Sequence, residues 1–149
     1  MIRLSLILTT LLLATSSHPP CPKIQDVKVA TWTLGTPETD NFESLAFWVE
    51  SDKRAYIRYL HGKSTDDTEL RWLGPDSIAG RRGFKAGFPS PDNRTFFITP
   101  VSDTLLVITR NRTAKFLWAD ENADSASSCN ICASSAKQAA AWLRRYFWN

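Results

Sequence analysis

Two cysteines, Cys129 and Cys132, stand just ahead of the C-terminal stretch "ASSAKQAAAWLRRYFWN" in a 149-residue chain with only one other cysteine, Cys21. A thiolate at a helix N-terminus is stabilised by the helix dipole and can be reactive. A thioredoxin-like dithiol, however, belongs in a βαβ context. Here a polar linker, "DENADSASS", precedes the pair and no parallel unit surrounds it. The structural alternative is a disulfide from Cys21 to Cys129 or Cys132. Closing that loop of about 110 residues would stabilise by roughly 4–5 kcal/mol in the chain-entropy model. The odd count leaves one thiol over, so an intermolecular bond, or a local Cys129–Cys132 bond with Cys21 free, stays open. A structural anchor is the reading carried forward.

Other chemistry finds little support. A structural zinc site needs about four ligands, and three cysteines with His18 and His61 are a poor supply, so no metal site is expected. No His-Glu-x-x-His, Gly-x-Ser-x-Gly or Walker motif occurs. The glycine-spaced "GPDSIAGRRG" lacks the Lys-Ser/Thr ending of a phosphate loop and reads as a plain loop. His61 could form an acid/base couple with Asp66, Asp67 or Glu50, but catalysis also needs a positioned partner. No catalytic residue, cofactor or enzyme activity is therefore expected. Two sequons, Asn93-Arg-Thr and Asn111-Arg-Thr, fall in expected turns where a glycan could attach.

The elements that must position any site follow from the patterning. "MIRLSLILTTLLLATSS" has a positive start, an apolar run from Leu4 to Leu13 and small residues after it. That is a secretory signal peptide over residues 1–17, too short in its apolar part to span a bilayer. The mature chain, 18–149, is expected to be a secreted single domain with no membrane span. A net charge of +3 argues against nucleic acid.

Eight segments rich in β-branched and aromatic residues follow, from "VKVATWTL" through "FESLAFWVES", "RAYIRYLHG", "TELRWL", "RGFKAGF", "RTFFITP" and "TLLVITR" to "AKFLWAD". Turn formers separate them: Asp52-Lys53, "GPDS", "SPDN", "VSD" and "RNRT". Because side chains alternate across a strand, Leu45, Phe47 and Val49 oppose Ala46 and Trp48, and Leu105 and Val107 oppose Leu106 and Ile108. Both faces are apolar, which an open sheet with one wet side would not show.

The fold class is thus mainly β: an antiparallel up-and-down meander barrel of about eight strands, with a C-terminal α-helix packed on the outside. The helix is expected over about 136–147, capped by Ser134 or Ser135, with Ala139, Trp142, Leu143 and Tyr146 as its apolar stripe. Arg144 and Arg145 suit its negative end.

In this order the chain resembles a lipocalin, or a neighbour in the wider calycin group. The likeness rests on "ATW", with Ala30 where the family has Gly and Trp32 in register, and on "SDTLLVI", similar to the family's Thr-Asp-Tyr turn at Ser102, Asp103 and Thr104. The Cys21-Pro22 opening resembles that of apolipoprotein D-like members. The family's late Arg is missing, since "FLWADEN" has acids there. The resemblance implies a cup holding a small hydrophobic molecule, and a terminal disulfide pinning the helix. Trp32, Phe47, Tyr59, Trp72, Phe96 and Trp118 are the expected ligand-binding residues. Arg81, Arg82 and Lys85 around Phe84 could meet an anionic headgroup or carboxylate near a barrel mouth. The alternatives are a filled barrel or sandwich acting on a protein partner, as an interaction or inhibitor module, and, third, a thiol–disulfide redox protein.

Overall fold

The computed structural model describes residues 27–50, 54–119 and 133–149. The signal segment, Asp52-Lys53 and all three cysteines lie outside them. Eight strands run β1 (Val27–Leu34), β2 (Glu43–Val49), β3 (Ala55–His61), β4 (Thr68–Ile78), β5 (Arg81–Gly87), β6 (Thr95–Val101), β7 (Thr104–Ile108) and β8 (Thr113–Ala119), then α1 (Ala136–Phe147). Each strand pairs antiparallel with the next, and β8 pairs back onto β1 through Trp32 opposite Trp118, which closes the ring. Closure removes every free sheet edge.

Alternation decides which residues enter the ring. β2 sends Glu43, Leu45, Phe47 and Val49 inward, all buried, while Ser44, Ala46 and Trp48 between them are only partly covered. Phe47 of β2 meets Phe84 of β5 edge-on at 6.4 Å, a contact across the inside of the ring. Ile57, Ile98, Leu105, Val107 and Phe116 fill the space around them and are at most 1% exposed.

Apolar residues on the outer faces have coverings of their own. The Trp48 and Tyr56 rings stack at 6.2 Å, with Lys28 over Trp48 and Arg54 and Arg58 over Tyr56. Such cation–ring contacts are favourable, and the alkyl stems add apolar cover. Phe97 is buried at 2% exposure because it lies across Gly83, where an added Cβ would sit 2.8 Å from the ring tip and 2.4 Å from the Ile98 carbonyl oxygen. Leu117 is left 63% exposed.

The helix packs against the ring, and it does so through the ring's interior residues. Phe147 stacks on Phe84 at 4.9 Å and meets Phe47 at 5.8 Å. Those partners face inward, so the helix closes one end of the tube. Ser135 is the N-cap, accepting from the Gln138 N–H, and Gln138 Oε1 in turn accepts from the Ser134 N–H at 2.7 Å. At the other terminus the Trp72 indole N–H donates to the Phe147 carbonyl and Arg82 to the Trp148 carbonyl. These bonds satisfy carbonyls that the helix itself cannot. The buried stripe is Ala136, Ala139, Ala140, Leu143 and Phe147, with Trp142 and Tyr146 half-covered at its side. The expected stripe therefore lacked Phe147, one turn beyond Leu143.

One turn moves from its expected place. "GPDS" lies within β4, where a bulge between Trp72 and Gly74 takes up an extra residue and Gly74 has φ 110°. The reversal comes at Ala79-Gly80, with φ 50° and 74°, the left-handed pair of a two-residue hairpin turn. "GPDSIAGRRG" is accordingly a strand–turn–strand rather than a loop.

Truncating Phe147 removes the aromatic stopper, so Phe147→Ala should cost about 3–5 kcal/mol in urea unfolding. Leu117→Ser, on the exposed outer face, should stay within about 0.5 kcal/mol of the parent in the same measurement.

Candidate functional site

The end away from the helix is open. Leu34, Glu43 and His61 stand opposite one another in register at this lip of β1, β2 and β3. The β5–β6 and β7–β8 connections reach the same end, and together they surround a cavity of about 710 Å³. Its aromatic wall is Tyr59 and Phe96, whose rings pack at 5.3 Å, with Phe88 edge-on to Tyr59 at 5.3 Å behind them. Its polar wall holds Glu43, His61, Arg94, Arg110 and Arg112.

Glu43 is the hub of that wall. It begins β2 on the inward phase of the alternation, so a carboxylate enters a position otherwise taken by Leu45 and Phe47. At 3% exposure it must be compensated. The Tyr59 hydroxyl donates to Glu43 Oε2 at 2.8 Å, and the Arg112 guanidinium donates to the same oxygen at 2.5 Å. Arg112 is aimed by a tight β7–β8 turn in which the Thr109 N–H donates to the Arg112 carbonyl. Thr109 Oγ1 accepts from the Asn111 and Arg112 N–H groups, which locks that turn. Burial raises the Tyr59 pKa, and the hydrogen bond to the Glu43 carboxylate raises it further. The Arg112 pKa is raised chiefly by its hydrogen bond to Glu43.

The β5–β6 loop is held in a similar way. The Asp92 carboxylate accepts from the Arg94 N–H at 2.9 Å and from the Arg94 Nε at 2.8 Å, which holds its pKa below the usual carboxylate range. Arg94 also lies 4.2 Å over the Phe88 ring. Arg110 has no ion-pair partner among the described residues.

Of the six expected ligand-binding residues, the cavity brings together Tyr59 and Phe96. Trp32 and Phe47 are core instead: they pack edge-on at 5.5 Å and are at most 1% exposed, in the stretch stoppered by Phe147. Trp72 is 44% exposed at the helix end, tied to the Phe147 carbonyl. Trp118 packs against the core from β8, opposite Trp32. Arg82 also lies at the helix end, and Lys85 is paired with Asp76 at 3.1 Å, so "RRGFK" is not at the open mouth.

His61 stands at the lip, its ring stacked on Tyr59 at 6.4 Å. Of the three acids expected for it, Asp67 is taken by Arg58 and Glu50 by Arg54, and no ion pair joins it to Asp66 among the described residues. The acid beside it is Glu43, across the strand pair. The cavity-lining charged residues missed by pattern reading are Glu43, Arg94, Arg110 and Arg112. Two of them, Arg94 and Arg112, are the middle residues of the sequons. Asn93 and Asn111 are exposed on the same rim. The available signal was the start of "ESLAFWV", where the inward phase of an apolar strand begins with an acid.

Among the described residues no group of three or more potential ligand side chains could hold a metal ion, and no helix is long and apolar enough to cross a membrane. Comparison with protein-family models, with curated proteins and with solved structures finds no match to this chain.

The raised Tyr59 pKa carries a sign. Its contribution to stability is whole below the ordinary tyrosine value near 10 and is lost as pH climbs above it toward the folded value. In an alkaline absorbance titration of the phenolates, one tyrosine should lag the others and ionise with unfolding. Tyr59→Phe should abolish the lagging phase and cost roughly 1.5–3 kcal/mol at neutral pH, as expected for a hydrogen bond to a charged group.

Proposed function

We propose that the protein is an exported binding protein that holds a small ligand with an apolar body in the open cup of its ring. The observation that carries this reading is the cavity of about 710 Å³, walled on one side by Tyr59 and Phe96 and open opposite the helix. Small-molecule sites commonly have this size, with apolar walls and a few placed polar groups. Since Trp32, Phe47, Phe84 and Phe147 occupy the lower interior, a ligand would sit in the upper part alone. Glu43 is engaged by two donors and the His61 ring is stacked on Tyr59, which favours holding a ligand over transforming one.

The lipocalin likeness points the same way. Its expected turn, Ser102-Asp103, joins β6 to β7 as a two-residue reversal with Ser102 at φ 57°. The rival reading, a module working through its outer surface on a protein partner, has Trp72, Leu73 and Leu117 as exposed apolar residues. Scattered exposed apolar side chains are normal, so the cup is the stronger feature.

Export would allow the cysteines to pair. The Ala133 N–H donates to the Val29 carbonyl at 3.0 Å, so the residue after Cys132 lies beside β1, eight positions beyond Cys21. This supports a bond from Cys21 to Cys129 or Cys132. Peptide mapping without reduction should recover a Cys21 peptide joined to the Cys129–Cys132 peptide; a bond confined to Cys129 and Cys132 would refute the anchor. In a eukaryotic secretory host, glycans at Asn93 and Asn111 would stand beside the opening.

The ligand reading is tested on the mature chain by NMR titration with two neutral probes, 4-phenylbutan-1-ol and octan-1-ol. At least one should move the amide signals of His61, Thr95 and Thr109 saturably. If neither these probes nor the matching carboxylates produce saturable shifts there, the cup is not a binding site.

A further inference from the structure

We propose that the cup selects organic anions, taking a ligand whose carboxylate or other singly negative head meets the arginine rim while its apolar body lies on Tyr59 and Phe96. This rests on the binding reading above and adds the charge of the ligand.

The rim carries an unbalanced charge. Three arginines, Arg94, Arg110 and Arg112, face the cavity against two acids, Asp92 and Glu43. The acids are spoken for. Asp92 is bonded to the backbone and guanidinium of Arg94, and Glu43 is held by Tyr59 and Arg112, which both donate to its Oε2. Among the described residues Arg110, alone of the three, has no acid, so the positive charge left over there belongs to the cavity. Arg112 leans over the opening from the β7–β8 turn, its side chain 45% exposed while Glu43 beneath it is 4% exposed. A guanidinium has five donors in a planar fork, so Arg112 can keep Glu43 and still offer N–H groups to an arriving anion.

The opposite choice, an amine ligand, would need Glu43 as its counter-ion. An ammonium would have to share a buried carboxylate already held by Arg112 and sit among three guanidinium groups. Stranding or repelling charge in a partly enclosed site is costly. The aromatic wall could accept either head, so the rim decides. The rim also explains why both loops are locked: an anion site gains affinity when its cations are already held in place.

The test uses three isosteric probes on the intact mature chain: 4-phenylbutyrate, 4-phenylbutan-1-ol and 4-phenylbutylamine, titrated by NMR at low and high salt. At low salt the carboxylate should bind on the order of tenfold more tightly than the amine, with the alcohol between them. That spread should shrink by about half or more at 0.5 M salt, where the Debye length falls to roughly 4 Å. Arg110→Gln should bring the carboxylate-to-amine ratio down several-fold. Glu43→Gln, which frees Arg112 from its acid, should raise that ratio. If Glu43→Gln fails to fold, Arg110→Gln carries the test alone. Equal binding of the alcohol and the carboxylate, or tighter binding of the amine, would overturn anion selection and leave the cup standing. Failure of all three at the mouth would take the binding reading down with it.

Discussion

A ring of eight short strands encloses room for side chains or for one small ligand, and the distribution of bulk inside it governs everything at its rim. Phe47 and Phe84 reach across the lower tube, Trp32 packs edge-on to Phe47, and Phe147 enters from the helix to stack on Phe84. With that end stoppered by the chain's own aromatics, only the upper end retains space. Tyr59 and Phe96, backed by Phe88, form the upper boundary of the packed region, and Tyr59 and Phe96 are at the same time the wall of the cavity. Core and site share a surface, so the stability of one sets the shape of the other.

The open end carries the polar groups that the lower interior cannot hold. A carboxylate on the inward face of a strand is tolerated only where partners can reach it, and at the lip Arg112 can come in from solvent while Tyr59 approaches from the wall. The same network ties three distant parts of the chain, β2, β3 and the β7–β8 turn, across the opening. This gives the rim a rigidity that hairpin tips ordinarily lack. The helix end has a matching arrangement, with Trp72 and Arg82 donating to the last helical carbonyls.

Much of the fold was legible because it depends on local pattern. β1 and α1 coincide with the expected segments, the other strands differ by a few residues, and the reversal at Ser102-Asp103 falls within the expected "VSD" turn. The two-sided apolarity of β2 and β7 could be read directly, but Leu45, Phe47, Val49, Leu105 and Val107 alternate with Trp48, Leu106 and Ile108, so the inward phase was left to the structure. "GPDS" misled because Gly and Pro signal a turn equally well when they serve a bulge, and the choice between them depends on pairing with β5. The tryptophans misled because burial and ligand contact use the same side chains.

What sequence by itself determined was the class of the molecule: alternation and turn chemistry act between residues close in the chain, and they commit it to a strand meander and a terminal amphipathic helix. Which apolar face turns inward at each strand, and which aromatics become stopper rather than wall, depends on contacts such as Phe47 with Phe147, one hundred residues apart in the chain. The site was hidden for the same reason. Glu43, Arg110 and Arg112 are an unremarked acid and two loop arginines until ring closure carries β2 and the β7–β8 turn to one rim.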